Sequence, residues 1–373
     1  YGTSVGGGAS VFFGDMLQNR ILGIAIGGGG QSIKDIGGQV FFQNVRRRWG
    51  WVVGGSHLPY LTGAVFVRPV EVDLGGGNVV QGTEYGQILQ RIYLDEISLG
   101  TQYPFSLTRR FEISGAFRRQ SYDLEQQSII TVGNTIIDES RTSLESPPAI
   151  NMGIASAAYV GDYSYFGFTS PVAGGRYRFE AGTTLGDIKF QSFLADYRRY
   201  LLMRPFTLAF RGLHYGRYGK GAEDERLSQL FLGSEQLVRG YSASSFDAIE
   251  CAQGASNPNE CPAFDRLLGS RLAVFNAEFR IPLIGTQQFG LLNFPFLPTE
   301  ISPFFDAGVA WTKDESPEWE FDRESPRRIP VMSYGIAARF NLFGYLIGEL
   351  YYANPMQRLR GGGVWGFQIA PGW

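Results

Sequence analysis

Hydrophobic and polar residues alternate one by one along most of this 373-residue chain. In the segment 176–185, Arg178 and Glu180 fall on one side of the alternation. Phe179 and Ala181 fall on the other side. Because successive side chains of a β-strand point to opposite faces, a period of two predicts strands rather than helices. The chain is therefore predicted to be all-β.

Sixteen such segments occur, and glycine, proline and polar residues separate them. The predicted strands lie near 8–16, 19–28, 38–46, 48–57, 62–72, 91–104, 110–124, 152–168, 174–186, 188–202, 205–217, 270–282, 301–312, 331–341, 344–353 and 361–373. An even number of antiparallel strands is what a closed bacterial barrel requires.

Two kinds of connection join these strands. Short turns lie near 103–106, 170–173 and 204–206. Long polar segments lie at 73–88, 125–148, 218–269 and 313–330. Outer-membrane barrels have short periplasmic turns and long extracellular loops, and each long segment follows an odd-numbered strand in this count. The long segments are therefore predicted to be extracellular.

The composition favours a membrane protein without transmembrane helices. Charged residues make up 18% of the chain, below the roughly 25% of a soluble domain. No run of eighteen apolar residues occurs, which excludes a transmembrane helix. A closed barrel hides its apolar surface in alternate residues, whereas a soluble β-sandwich or propeller is the alternative on composition alone. We predict one transmembrane antiparallel β-barrel domain spanning residues 1–373.

Few residues suggest chemistry. The net charge of −2 gives no indication of nucleic acid as a partner. His57 and His214 are far apart in sequence and do not suggest a metal site. Residues 2–6 match the Gly-x-Ser-x-Gly elbow of hydrolases, but neither the buried strand nor the helix that this elbow needs flanks them. We expect no catalytic site, no metal site and no cofactor.

Cys251 and Cys261 lie in a polar segment, CAQGASNPNEC, whose Gly, Asn and Pro residues mark an exposed loop. Two exposed thiols this close in sequence predict a small disulfide loop in an oxidising compartment. A metal pair is disfavoured because no histidine or further cysteine lies nearby to complete a site.

From residue 231 onward, five segments in a fixed order resemble a known family. They are FLG at 231–233, LVRGY at 237–241, NAEFRIP at 276–282, FFDAGVAW at 304–311, and the last three strands together. The chain here resembles the barrel of the BamA/TamA-like outer-membrane assembly proteins, the bacterial surface antigen family. That family carries a Val-Arg-Gly-Phe/Tyr motif at the end of its sixth extracellular loop, matched by Val238, Arg239, Gly240 and Tyr241. The resemblance weakens upstream of about residue 170.

The alternation predicts that Glu278 and Asp306 both face the lumen of the barrel. The family places its loop-tip arginine against such carboxylates, so the resemblance implies that Arg239 pairs with Asp306, with Glu278 nearby. Charge-assisted hydrogen bonds would hold that pair. Gly240 would let the backbone approach the wall, and Tyr241 would pack against it. The alternative is a solvated loop arginine without a partner.

The last strand carries Trp365, Phe367, Ile369 and Trp373 on one parity. This pattern resembles the terminal signal by which outer-membrane proteins are delivered to the assembly machinery. Pro371 lacks the N–H that a strand ladder would use, so closure between the first and last strands is expected to be short or weak. In the family, such a weak seam is implicated in opening toward the bilayer.

The resemblance implies a protein of the Gram-negative-type outer membrane that inserts or translocates other proteins by lateral opening. Its expected partners are outer-membrane lipid, unfolded client proteins, and periplasmic or lipoprotein accessory subunits. A passive pore is one alternative, and a membrane anchor or secretion channel for an N-terminal domain is another. The periplasmic repeat domains of the family are expected to be absent from this chain.

Overall fold

The computed structural model describes residues 7–29, 32–73, 75, 79–133, 135–247, 250–251, 261–286, 290–294, 296–323, 325, 327–344, 346–359 and 361–369. Within these ranges the protein is nearly all β, as predicted, and sixteen of its twenty strands have six residues or more. Helical structure with bounds in the described ranges is limited to the turns Ile33–Asp35 and Ala243–Ser245 and to the short helix α1 (Pro262–Asp265). No described helix has the length and hydropathy needed to cross a membrane.

The strands follow the chain in this order: β1 (Gly7–Gly14), β2 (Arg20–Gly28), β3 (Ile36–Asn44), β4 (Gly50–Asp73), β5 (Val79–Ser106), β6 (Arg109–Val132), β7 (Thr135–Leu144), β8 (Ile150–Asp162), β9 (Tyr165–Phe166), β10 (Pro171–Gly186), β11 (Phe190–Met203), β12 (Phe206–Tyr218), β13 (Leu230–Phe231), β14 (Leu268–Gly269), β15 (Arg271–Gly285), β16 (Leu292–Asn293), β17 (Thr299–Trp311), β18 (Val331–Leu342), β19 (Leu346–Pro355) and β20 (Val364–Ile369). They divide between two compact units. The first unit is Tyr1–Tyr103, Ile113–Ala155 and Thr184–Ile188. The second unit is Pro104–Glu112, Ser156–Thr183 and Lys189–Trp373.

In the first unit, successive strands pair as antiparallel hairpins from β1 to β5. The register runs from Gly7↔Gly28 in β1–β2 and Arg20↔Asn44 in β2–β3. It continues with Gly38↔His57 in β3–β4, and β4 then pairs with β5 as far as Asp73↔Val79. The short polar connections permit this local order.

The structure corrects the prediction in this unit. The strands predicted at 48–57 and 62–72 form one strand, β4, of 24 residues. Pro59 lies between the two predicted segments, and β3 pairs with β4 only up to His57. The missing N–H of Pro59 therefore breaks no ladder on that side.

The predicted loops 73–88 and 125–148 were also wrong in large part. β5 begins at Val79, and the end of β6, up to Val132, together with β7 covers most of the second predicted loop. Their polar composition suggested loops. A strand that extends past the apolar layer meets water on both faces, however, so it needs no apolar face there.

In the second unit, antiparallel pairing follows the order β11–β12–β15–β17–β18–β19–β20. The registers include Gln191↔Tyr218, Thr207↔Arg280, Asn276↔Asp306, Asp306↔Ser333, Arg339↔Glu349 and Gly348↔Ile369. The long segment 219–270 separates β12 from β15, whose edges nonetheless pair directly.

The two faces of this second sheet have opposite chemistry. Arg280 and Asp306 are fully buried on one face, which we call the polar face. Phe275, Tyr334 and Trp365 are exposed on the other, by 46%, 53% and 68%. A soluble sheet buries its apolar residues instead. Exposed apolar residues opposite buried charges are the pattern of a wall that meets lipid on its outside.

The last strand follows the predicted parity. Trp365, Phe367 and Ile369 all lie in β20 with exposed side chains. Trp373 and Pro371 lie outside the described residues.

Candidate functional site

The connection from β12 to β15 folds back onto the polar face of the second unit. Leu232 and Val238 are fully buried there, and both belong to an apolar cluster with Leu272 of β15, Ala310 of β17 and Val331 of β18. The short strands β13 and β14 pair with each other inside this connection. Apolar burial therefore fixes the position of the segment that leads to the loop tip, which we define as residues 238–241.

The two cysteines lie in the same connection. Cys251 and Cys261 are joined in a disulfide whose Cα atoms are 4.1 Å apart. Residues 252–260 between them lie outside the described residues.

Arg239 of the loop tip is 2% exposed and lies among three carboxylates. Its backbone N and Nε donate to Asp306 Oδ2 at 3.2 and 2.8 Å, and Nη2 donates to Asp306 Oδ1 at 2.9 Å. Nη1 lies 3.0 Å from Glu278 Oε1 and 3.3 Å from Glu349 Oε1. The guanidinium also lies over the Phe304 ring, 3.5 Å from its centroid. Arg239 thus meets both carboxylates that the resemblance implied, and a third.

The neighbours of Arg239 in the tip have distinct roles. Gly240 has φ +88°, and a Cβ there would lie 3.1 Å from Ala353 Cβ, so a side chain would be strained in both respects. The buried Tyr241 hydroxyl donates to Met332 O at 3.0 Å and accepts from Gln357 N at 3.0 Å. These contacts hold the tip against β18 and the end of β19.

A second arginine, Arg339, lies deeper on the polar face. Nη2 and Nη1 donate to both carboxylate oxygens of Glu278 at 2.6 and 2.9 Å, a bidentate arrangement. Nη1 is 3.2 Å from Glu300 Oε1, and Nε pairs with Glu349. Arg280 Nε donates to Glu278 Oε2 at 2.9 Å. Glu278 therefore receives bonds from two arginines of the wall in addition to Arg239.

These residues form one buried group, which we call the charge network. Its members are Arg239, Arg280, Arg339, Glu278, Glu300, Asp306 and Glu349, and each is at most 3% exposed. Three guanidinium groups thus face four carboxylates. Isolated buried charges are unfavourable, but multiple paired hydrogen bonds offset the loss of water.

Strand register explains why the network forms. Asn276 lies opposite Asp306, Glu300 lies opposite Arg339, and Arg339 lies opposite Glu349. Directly opposed residues share a face, so the two-residue period gathers these charges on the polar face. The parity that placed Glu278 and Asp306 applies equally to β18 and β19. The alternation in these two strands would have placed Arg339 and Glu349 on the polar face, but neither residue was predicted from the sequence.

The network also reaches the connection between β8 and β10. Ser170 Oγ donates to Glu300 Oε2 at 2.7 Å. Arg280 Nη1 donates to the carbonyl of Pro171 at 2.8 Å. One continuous set of polar contacts therefore runs from the loop tip along β15, β17 and β18 to this turn.

Arg358, in the connection between β19 and β20, holds the loop from the other side. Its Nη1 donates to the Gly240 carbonyl at 3.3 Å and its Nε donates to Glu250 Oε2 at 3.0 Å. Its guanidinium lies 4.4 Å from the centroid of the Phe246 ring. No periodic pattern marks a residue in a coil, so this contact had no signal in the sequence.

The environment changes the pKa of several groups in the loop. Burial raises the pKa of Tyr241 to about 12. Burial alone would lower the pKa of Arg239, but the attraction of Asp306 and then Glu278 outweighs it and raises the pKa. A hydrogen bond from the Arg226 side chain lowers the pKa of Asp224 to about 2. Arg239 therefore stays charged at any physiological pH.

The two histidines have polar partners of their own. In the first unit, His57 Nδ1 is 2.6 Å from Asp95 Oδ1. In the second unit, His214 contacts the Leu272 carbonyl at 2.9 Å and the Tyr218 hydroxyl at 2.8 Å. Among the described residues, no three histidines, cysteines or carboxylates are placed to hold a metal ion.

Known proteins resemble this chain in sequence and in structure. An Omp85 superfamily domain model matches residues 165–372, more than half of the chain. No protein of curated function matches the sequence at a significant level. BamA from Haemophilus ducreyi lacking POTRA domains 1–3 is similar in structure, with a TM-score of 0.53 and 12% identity over 98% of this chain and 70% of that one. The likeness shows the fold, a transmembrane antiparallel β-barrel of about sixteen strands, and confirms the predicted fold class.

Two structures of CdiB are also similar. The protein from Acinetobacter baumannii gives a TM-score of 0.49 at 13% identity, covering 98% of this chain and 56% of that one. The protein from Escherichia coli gives 0.45 at 11% identity, covering 98% and 57%. This chain thus spans just over half the length of the CdiB chains.

Proposed function

Because the chain belongs to the Omp85 superfamily, we propose that it inserts proteins into the outer membrane of a Gram-negative-type bacterium, or translocates them across it. The observation that carries the proposal is the loop tip, held in the charge network by Arg239. We propose that this contact braces the barrel wall while another part of the wall opens. The proposed partners are outer-membrane lipid, unfolded client proteins and accessory subunits, and the proposed process uses no enzymatic chemistry and no cofactor.

The position of the long loop disfavours a passive pore. Its apolar residues and Arg239 cover the polar face, which would otherwise line an open channel. The loop contacts four strands, β15, β17, β18 and β19. Backbone hydrogen bonds connect each of these strands only to its two neighbours, whereas the loop connects all four. These contacts stiffen the part of the wall that β15, β17, β18 and β19 form. We therefore expect the wall to open at strands that the loop does not contact.

The last strand supports opening at that end of the sheet. β20 is the last strand of the chain in the described residues, it pairs with β19 from Val364 to Ile369, and its Trp365, Phe367 and Ile369 side chains are exposed. We therefore propose that client strands contact β20 during lateral opening.

A crosslinking experiment tests this proposal. A photoreactive amino acid replaces Phe367 in β20, and the matched control carries it at Phe193 in β11, since both side chains are exposed on their strands, by 51% and 43%. The purified protein in liposomes receives an unfolded outer-membrane barrel as client. We expect the client to crosslink at position 367 and fold into the membrane, with little crosslinking at 193. Equal crosslinking at both sites, or ion conductance without any client folding, would overturn the proposal.

A further inference from the structure

Three strands of the first unit are far longer than a membrane requires. β4 and β6 have 24 residues each, and β5 has 28. A strand needs about 9–11 residues to cross the apolar layer. At about 3.3 Å per residue, the excess of thirteen residues or more corresponds to about 40 Å of strand beyond what the layer requires. Together with β7, these strands form a sheet that is long enough to extend outside the membrane.

Among the residues that the structure describes, one edge of this sheet has no neighbouring strand. β3 pairs with β4 as far as Gly38↔His57, and no paired strand borders residues 58–73 on that side within the described ranges. On the other side β5 pairs with β4 throughout. Residues 58–73 are therefore an edge strand.

The direction of the hydrogen bonds along this edge can be assigned. A Cβ on Gly63 would lie 2.7 Å from Ile88 O, so that carbonyl points at β4 beside its register partner Ala64. Even-numbered residues of β4 thus bond to β5, and odd-numbered residues direct their N–H and C=O groups outward. Pro59 and Pro69 are both odd-numbered, where a missing N–H disturbs no bond to β5.

Residues 61–67 between the two prolines lack the usual protection of an edge. Their sequence, LTGAVFV, contains no charge and no proline. The other edge strand, β7, carries Asp138, Glu139 and Arg141 within ten residues. Charges and prolines on edge strands prevent pairing with foreign strands. The edge formed by β7, which we call the guarded edge, therefore carries charges that prevent pairing with foreign strands. The edge formed by β4, which we call the open edge, has no such protection over the seven residues 61–67.

The face beside the open edge is apolar. Val65 and Val67 are 82% and 64% exposed, and Tyr85, the register partner of Val67, is 52% exposed. A strand added to β4 would place alternate side chains next to this strip. Exposed apolar surface of this kind in an otherwise polar region marks an interaction site.

We propose that residues 61–67 bind an extended segment of another protein, which adds to the sheet as a strand beside β4. Only a polypeptide backbone presents donors and acceptors at the spacing of this edge, so neither a lipid nor a small molecule satisfies it. A second copy in the same membrane cannot pair with this edge in the antiparallel sense. Antiparallel pairing of this edge with itself would relate the copies by an in-plane two-fold axis and turn one barrel upside down. The partner segment is uncharged at its centre, with apolar residues at alternate positions.

A binding experiment tests the site with a defined probe. The probe is a fluorescent peptide of ten alternating Thr and Val residues with a Lys at each end, added to the protein in lipid nanodiscs. We expect saturable binding by fluorescence anisotropy. Val65→Pro removes one outward N–H and should weaken binding at least tenfold, and Val65→Lys should weaken it similarly. The matched control Ile137→Lys, on the guarded edge, should leave binding unchanged.

Hydrogen exchange provides a second measurement that does not depend on the variants. In the free protein, the odd-numbered amides of residues 61–67 should exchange rapidly and the even-numbered amides slowly. Saturating peptide should slow the odd-numbered amides alone. The proposal is overturned if the peptide does not bind, if Val65→Pro binds it as well as the unchanged protein, or if the odd-numbered amides are already protected without it.

Discussion

Replacement of Arg239 and of Asp306, singly and together, is the most direct test of the charge network. Arg239→Ala removes the only guanidinium that the loop tip contributes, so Asp306, Glu278 and Glu349 each lose their contacts of 2.8–3.3 Å with Arg239. Asp306→Ala is milder, because Arg239 still faces the other two carboxylates. The two changes therefore should not cost the same.

The magnitudes follow from burial. Both side chains are 3% exposed or less, and breaking a buried pair by removing one partner costs about 3–5 kcal/mol. We place Arg239→Ala near 5 kcal/mol and Asp306→Ala near 3 kcal/mol on that scale. In the double variant no carboxylate of Asp306 is stranded, so the loss should be near 5 kcal/mol rather than 8. The difference of about 3 kcal/mol is the coupling energy expected of a pair in direct contact.

Urea unfolding in phospholipid vesicles, followed by heat-modifiable migration on a gel, measures these free energies of unfolding. Protease sensitivity of residues 219–270 shows whether the loop is released. Arg226→Ala is the matched control in the same loop, since its pair with Asp224 is 31% and 25% exposed and should contribute about 0–1 kcal/mol. Additive losses in the Arg239–Asp306 cycle, or equal losses for Arg226→Ala and Arg239→Ala, would refute the reasoning.

Three further predictions concern other parts of the chain. Mass spectrometry of unreduced peptides should find Cys251 linked to Cys261, and alkylation of both thiols in protein isolated from membranes would contradict this. Spin labels at Phe179 and Glu180 should report lipid and water respectively, whereas equal accessibility would mean that β10 is not part of a barrel wall. Tyr241 has a pKa raised to about 12, so its neutral form favours the folded loop; this contribution is complete below the unfolded pKa of about 10 and is lost as pH rises through 12. Loop protection should therefore fall across that range, and Tyr241→Phe, weaker throughout because it loses the bonds of the hydroxyl, should lack the step.

The sequence predicted the strands of the second unit well because each carries its own alternation. It failed in the first unit by dividing β4 between residues 57 and 62, where Pro59 lies on an edge without a described partner strand, so its missing N–H breaks no ladder. It failed at β7 because a strand in water on both faces has no hydrophobic period to detect. Both errors depend on which strand lies beside which, and a local pattern does not contain that information.

The candidate site was also predicted only in part from the sequence. Parity alone oriented Glu278 and Asp306, and the family resemblance supplied their partner Arg239. The role of Arg358 could not be predicted from the sequence, because its contact with the Gly240 carbonyl joins two coils that are adjacent only after the sheet has formed. Residues on periodic elements can be oriented from sequence, whereas residues in coils need the folded neighbours.

The charge balance of the network explains why the loop and the wall depend on each other. Without Arg239, the wall contributes Arg280 and Arg339 against the four carboxylates of the network. That leaves an excess of two negative charges in a region shielded from water, which is unfavourable. Insertion of Arg239 reduces the excess to one and adds three hydrogen bonds to Asp306. The strands of the wall therefore carry fewer positive charges than their carboxylates need, and the loop tip supplies one more through Arg239.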